Sequence, residues 1–241
     1  MKLPFIGPAY LSRSLNMNAQ RSVNVYPEVD KTGKNVIALY GTPGLSTMAT
    51  IGVGPIRGMY AGESLLYAVS GSTLYWVSSN WSTSSMGSLL TSTGPVSMDA
   101  NTSQLIFVDG TAGYTATLPQ GVAATISSVD ADFTAVPSRV TVLDGYAVVD
   151  NIGTGKFYIS DINNANAWDA LDLATAEGLP DDIISVLADH RELWLLGAKS
   201  IEPWTNSGNS DFPLERIQGA FIEQGCAAAQ GVCKADNSLF W

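Results

Sequence analysis

Residues with catalytic potential are few and scattered along this chain. His190 is its one histidine, so a Ser-His-Asp relay would have to run through it. It stands between Asp189 and Arg191, in a polar stretch that reads as a turn tip, and solvation accounts for it there. Asp99, Asp109, Asp150, Asp161 and Glu192 are the carboxylates that repeat positions bring forward. Two of them held about 5–10 Å apart would be the acid and the nucleophile or base of glycoside hydrolysis. Asp109 falls in a hairpin turn, however, and Asp150 precedes Asn151 at a loop start, where aspartate is favoured by local hydrogen bonding. Asp181-Asp182 lacks the spaced oxygen ligands a calcium site needs and reads as a solvated pair. Gly52-Val53-Gly54-Pro55 is an isolated glycine pair without a phosphate-loop context. The expectation is therefore no catalytic, cofactor-binding or metal-binding residue, and a chain that is not an enzyme.

The elements that would position these groups recur about every forty residues. Each copy is an apolar strand, a tight polar turn, and a second strand with an aromatic. Taking Leu66, Leu105, Tyr146, Leu193 and Leu239 as equivalent gives spacings of 39, 41, 47 and 46. A strand-bearing period of that size predicts an all-β fold of β-propeller-like repeats, antiparallel sheets packed radially. Lead strands are expected at Ile56 to Tyr60, Val96 to Met98, Arg139 to Leu143, Ile183 to Leu187 and Ala229 to Cys233. Third strands are expected at Thr73 to Ser78, Tyr114 to Leu118, Lys156 to Ser160 and Ser200 to Thr205. Gly71-Ser72, Asp109-Gly110 and Asp144-Gly145 suit hairpin turns that need positive φ. Residues 161–182 read as the longest irregular stretch, with a short helix over Asp169 to Glu177. Trp76, Trp194 and Trp241 lie on repeat strands and are assigned to packing between repeats. Trp81 and Trp168 lie in loops and are assigned to exposed contact surfaces.

The domain reading is residues 1–50 as an N-terminal arm and hairpin, then 51–241 as about four repeats and the start of a fifth. The hairpin pairs Arg21 to Tyr26 with Val36 to Tyr40 across a turn at Asp30 to Asn35. The arm, Met1 to Met17, is the candidate docking segment, with a strand that completes a blade in cis as the alternative. A propeller closes with about 4–8 blades. The sequence stops in mid-strand on Leu239-Phe240-Trp241, so the expectation is an incomplete propeller, a piece of a longer polypeptide.

Composition narrows the function. Hydrophobic residues make up 46% and charged residues 14% of the chain, against about 25% charged in average globular domains. The net charge is −10, from 12 basic and 22 acidic residues. Tight DNA or RNA binding needs cations to displace counterions from phosphates, so it is not expected; an acidic wall would let DNA pass without sticking. Cys226 and Cys233 are too few for a disulfide framework and read as buried thiols, with a local disulfide as the alternative. Met1 to Pro8 lacks the pattern of a signal peptide, and no run of eighteen apolar residues provides a membrane span. A soluble protein made in a cytoplasm is expected.

The order of short segments is more specific than any one of them. Arg21-Ser22-Val23-Asn24-Val25-Tyr26-Pro27 is followed by Gly41-Thr42-Pro43-Gly44-Leu45, Gly54-Pro55-Ile56-Arg57-Gly58-Met59 and Gly71-Ser72-Thr73-Leu74-Tyr75. Tyr158-Ile159-Ser160-Asp161, Trp168 and Ser200-Ile201-Glu202-Pro203-Trp204 come next. This series resembles the packaged-DNA stabilisation protein family of short-tailed bacteriophages, also called tail accessory or tail nozzle proteins, from about Arg21 to Trp241. The resemblance implies a structural component of the virion tail, assembled in the host cytoplasm. It implies a hexameric ring of identical copies that extends the DNA channel below the portal and its adaptor. With a needle or plug protein, and beside the tailspike, that ring would retain the packaged genome while double-stranded DNA passes without tight binding. The family brings no catalytic residues. The alternative from a different class is a carbohydrate-binding or glycoside-hydrolysing β-propeller, marked by carboxylates from several blades converging on a central pocket.

Overall fold

A computed structural model describes residues 22–29, 37–62, 64–176, 178–236 and 238–241. The docking arm and the turn at Asp30 to Asn35 lie outside the described residues. The chain divides into two compact units, 1–48 and 49–241.

In the first unit β1 (Val25–Val29) pairs antiparallel with β2 (Ile37–Gly41). The first strand starts later than the alternation of Arg21 to Tyr26 predicts. Asn24 takes φ 55°, a left-handed conformation that no strand continues through, so the ladder begins after it. Tyr26 stacks on its cross-strand partner Tyr40 with ring centroids 5.8 Å apart.

The second unit contains four four-stranded antiparallel sheets, each a propeller-like blade. Blade 1 is β3 (Ile56–Ala61), β4 (Leu66–Ser70), β5 (Thr73–Val77) and β6 (Thr83–Ser88). Blade 2 is β7 (Ser97–Ala100), β8 (Gln104–Val108), β9 (Gly113–Thr117) and β10 (Ala124–Thr125). Blade 3 is β11 (Val140–Leu143), β12 (Tyr146–Asp150), β13 (Lys156–Asp161) and β14 (Asn164–Thr175). Blade 4 is β15 (Ile183–Asp189), β16 (Glu192–Gly197), β17 (Ile201–Asn206) and β18 (Leu214–Arg216). A two-stranded ribbon follows, β19 (Cys233–Ala235) with β20 (Ser238–Phe240). In every blade the strands pair in sequence order.

Second strands read as unbroken apolar runs because both of their faces are buried. On β8, Leu105 and Phe107 point into a core shared with Tyr67, Val69 and Leu74 of blade 1. Its alternate residues Ile106 and Val108 join Ala147 and Val149 of blade 3. The next core sets Val148, Phe157 and Ile159 against Val186, Leu193 and Leu195. The last gathers Leu196, Ile201, Cys226 and Val232. The hydrophobic core is thus a series of slabs between neighbouring blades.

Several expectations are corrected. The strand β14 occupies most of the stretch read as irregular and helical. Leu173 packs into the slab facing blade 2 and Ala174 into the slab facing blade 4, the two-residue period of a strand. Trp168 is buried rather than exposed, edge-on to Phe133 at 4.8 Å, with its indole N–H donated to the Ala165 carbonyl. Trp241, assigned to packing, is 45% exposed. The fifth lead strand is Cys233–Ala235, preceded by a 3-10 turn at Ala229–Gly231 where a strand was expected. Both cysteines are free; Cys226 is buried but Cys233 is exposed.

Candidate functional site

The first strands of successive blades lie side by side, β3 against β7, β7 against β11 and β11 against β15. They form the inner wall of the repeat array, and polar side chains stitch them together. Ser97 Oγ accepts the Val140 N–H at 3.2 Å. Asp99 Oδ2 accepts the Val142 N–H at 2.7 Å and the Thr141 hydroxyl at 3.3 Å. Thr141 Oγ1 in turn accepts the Ala188 N–H at 2.9 Å, carrying the seam to blade 4.

Two arginines complete the seam. Arg57 sits at a bulge of β3, buried, and spends all five N–H donors on the loop that leads into blade 2 and on its own blade's turn. It donates to the carbonyls of Gly94, Gly71, Thr91 and Thr93 and to the Thr91 hydroxyl, at 2.7–2.8 Å. Gly58 beside it lets the wall close, because a Cβ there would strike the Val96 carbonyl. Arg139, half-buried, donates through Nε to Ser185 Oγ at 3.2 Å and through Nη1 to Gln230 Oε1 at 2.8 Å. Neither arginine was singled out from sequence. The available signal was a cation on an otherwise apolar lead strand, although its partners, mostly carbonyls, carry no side-chain signature.

The predicted acid residues do not assemble into one site. Asp109 and Asp150 hold equivalent positions, four residues after Leu105 and Tyr146, and Ser70 holds the same place in blade 1. Each ties the end of a second strand to neighbouring loop backbone. Ser70 Oγ accepts the Gly54 N–H at 3.2 Å. Asp150 accepts the N–H groups of Ser138 and Arg139, both at 2.7 Å, and the Ser138 hydroxyl. In blade 4 that position is Gly197, and Asp181 supplies the carboxylate from the opposite side. It accepts the N–H groups of Lys199 at 2.6 Å and Ser200 at 3.1 Å. Asp181 is therefore a structural anchor rather than a solvated residue, and its neighbour Asp182 is exposed. Asp161 is exposed at the β13–β14 turn. His190 and Arg191 take φ 47° and 66° as the centre of a type I′ turn, with His190 Nδ1 2.7 Å from Asp189 Oδ2. Glu192 lines a hollow of about 360 Å³ with Asp189, His190, Trp194 and Trp241.

Burial alone would raise the pKa of Asp109, but the hydroxyls of Thr91 and Tyr114 and the N–H groups of Ala112 and Thr111 outweigh it. They hold the carboxyl below its ordinary value. Its stabilising contribution is present above the unfolded value of about 3.9 and is lost as pH falls through the folded one. Asp99 and Asp150 are shifted the opposite way, burial raising each against its hydrogen bonds. Asp109→Asn is expected to lower stability near pH 7 by about 1–3 kcal/mol, because it breaks hydrogen bonds to a charged group. In urea titrations that deficit should shrink on acidification to about pH 2.5. A deficit that persists undiminished in acid would contradict this role.

The inner wall lines an open hollow of about 470 Å³, formed by residues on or beside the first strands of all four blades together with Gln230 and Lys234. Its charged lining is Arg57, Arg139, Lys234 and Asp99. It therefore presents one carboxylate, not the converging set that a propeller glycosidase requires. Among the described residues, no cluster of three His, Cys, Asp or Glu is placed to hold a metal ion, and no helix is long and apolar enough to cross a membrane.

Two solved structures with TM-scores above 0.5 support the fold. The computationally designed Ika8 protein matches with a TM-score of 0.53 at 12% identity, covering 91% of this chain and 65% of that one. A chain of the Mitotic Checkpoint Complex matches with a TM-score of 0.54 at 12% identity, covering 80% and 61%. Kluyveromyces lactis Hsv2 matches at 0.48 and 8%, covering 76% and 58%. The chain thus spans less than two thirds of each of these structures. No curated protein matches it. The model of one family, described as Bacteriophage P22 Gp10, beta-propeller, matches residues 1–241 in full. Built of propeller-like blades and matched over its whole length, the chain belongs to the phage packaged-DNA stabilisation family.

Proposed function

We propose that the protein is a non-enzymatic structural component of a phage tail, a nozzle or hub that extends the DNA channel below the portal and helps retain the packaged genome. The family match along residues 1–241 carries this reading. The blades supply a physical basis: Arg57, Asp99 and Thr141 at the inner wall hold one blade to the next. We further propose that copies assemble as a hexameric ring that contacts the adaptor or portal, a needle or plug protein and the tailspike. Assembly takes place in the host cytoplasm. The net charge of −10 fits a conduit through which DNA moves without adhering.

The test is genome retention. Particles assembled without this protein should leave their DNA open to nuclease, and adding the protein back should restore protection. Protection that is complete in its absence would refute the proposal. The glycoside-hydrolysing alternative has lost the convergence of carboxylates in the axial cavity that would have favoured it.

A further inference from the structure

We propose that the axial cavity is a binding site for a small oxyanion of the phosphate class, held by Arg139 and Lys234 in the field of Arg57. The unit spanning residues 49–241 has seven basic and twenty acidic residues. Three of the seven cations line this one cavity, and one of the twenty carboxylates does. A chain that is strongly acidic as a whole is therefore locally basic on its axis.

The two arginines there form no salt bridge among the described residues; the ion pairs found among them involve His190, Arg191, Arg216 and Lys234. Arg57 has no donor left and contributes charge alone. Arg139 has used two donors of five, so three N–H groups of a planar fork remain. Lys234 Nζ lies 3.7 Å from Asp189 Oδ1, too far for a hydrogen bond, and keeps its donors. Asp150 is near enough to favour the Arg139 cation, but its oxygens are taken by Ser138 and by the Arg139 backbone N–H. Asp99, the opposing carboxylate, is likewise committed to Ala100, Thr141 and Val142.

A half-buried guanidinium whose nearby carboxylate makes no hydrogen bond to it is a costly arrangement that an anion relieves. The planar fork of arginine matches the paired oxygens of phosphate, and the lysine adds a point charge. The volume, about 470 Å³, is within the range of small-molecule sites.

Inorganic phosphate titrated into the purified 241-residue chain at low ionic strength, followed by phosphorus NMR line broadening and calorimetry, tests the site. Saturable binding is expected. Arg139→Gln and Lys234→Gln should each weaken it at least about tenfold, the scale of one lost charge-assisted contact. Lys156→Gln, exposed at the start of β13 and outside the lining of the hollow, should leave it unchanged. Lys234 is itself exposed, so its variant keeps the test independent of folding. Non-saturable binding, or equal weakening in all three variants, overturns the proposal. So does acetate competing as well as phosphate. Displacement by a short DNA duplex at equal phosphate concentration overturns it as well, since that would assign the site to polymer backbone.

Discussion

Arg57→Met is expected to destabilise the protein by about 3–5 kcal/mol, although methionine fills a similar space and belongs in a core. The argument turns on which side of the exchange is larger. Removing the guanidinium recovers the desolvation of one cation, a few kcal/mol. It also strands the carbonyls of Gly71, Thr91, Thr93 and Gly94 and the Thr91 hydroxyl, which all converge on that side chain. Hydrogen bonds to a charged group contribute about 1.5–3 kcal/mol each, so five outweigh the recovered solvation. The damage should spread, because the Thr91 hydroxyl passes the contact on to Asp109 Oδ2 at 2.7 Å, and Asp109 accepts the Tyr114 hydroxyl at 2.7 Å. Arg57→Lys should lose nearly as much, since one ammonium cannot span a five-point fork. Urea unfolding checks this through a lower midpoint at unchanged slope. A loss under about 1 kcal/mol would mean the loop is held by something else.

The second large effect is at Phe157. Its side chain is fully buried between blades 3 and 4, edge-on to Trp204 at 5.2 Å and tilted to Phe212 at 6.1 Å. Phe157→Ala should destabilise by about 3–5 kcal/mol, the transfer loss plus the cavity left among rings that relax only in part. Leu171→Ala, 84% exposed on β14 of the same blade, should stay within about 0.5 kcal/mol of the parent. Matching losses at the two sites, read from denaturation midpoints, would contradict the placement of the slab.

The residues that make up these two sites were unequally legible in the sequence. Phe157 lies on β13, expected as the third strand of its repeat, and the Asp144-Gly145 turn marks the β11–β12 hairpin of the same blade: both turn residues take positive φ, 49° and 93°. Such signals are local, and they fixed the repeat and its second and third strands. The fourth strands escaped because local signals are weak there. Thr83–Ser88 is polar and mostly exposed, and Leu214–Arg216 is only three residues long. Trp168 escaped because its neighbours are Asn, Ala and Asp. Only pairing with β13 and the ring of Phe133 reveal it as core. Arg57 and Arg139 were opaque for a deeper reason: their partners lie up to 37 residues away in one case and 91 in the other. The carboxylates were visible as residues, and the local hydrogen bonding expected of both holds at Asp109, through Thr111 and Ala112, whereas Asp150 bonds Ser138 and Arg139, twelve and eleven residues back. Sequence could not show that equivalent places in successive blades share one anchoring task.

The alternation of faces along β8, with Leu105 and Phe107 turned one way and Ile106 and Val108 the other, has a mechanical consequence. Blades 2 and 3 own no core of their own; each lends half of two. Cohesion therefore resides in the joints, and the array behaves as a row of coupled units whose stability is a sum over nearest neighbours. A load applied at one blade is passed to the next only through the slab they share.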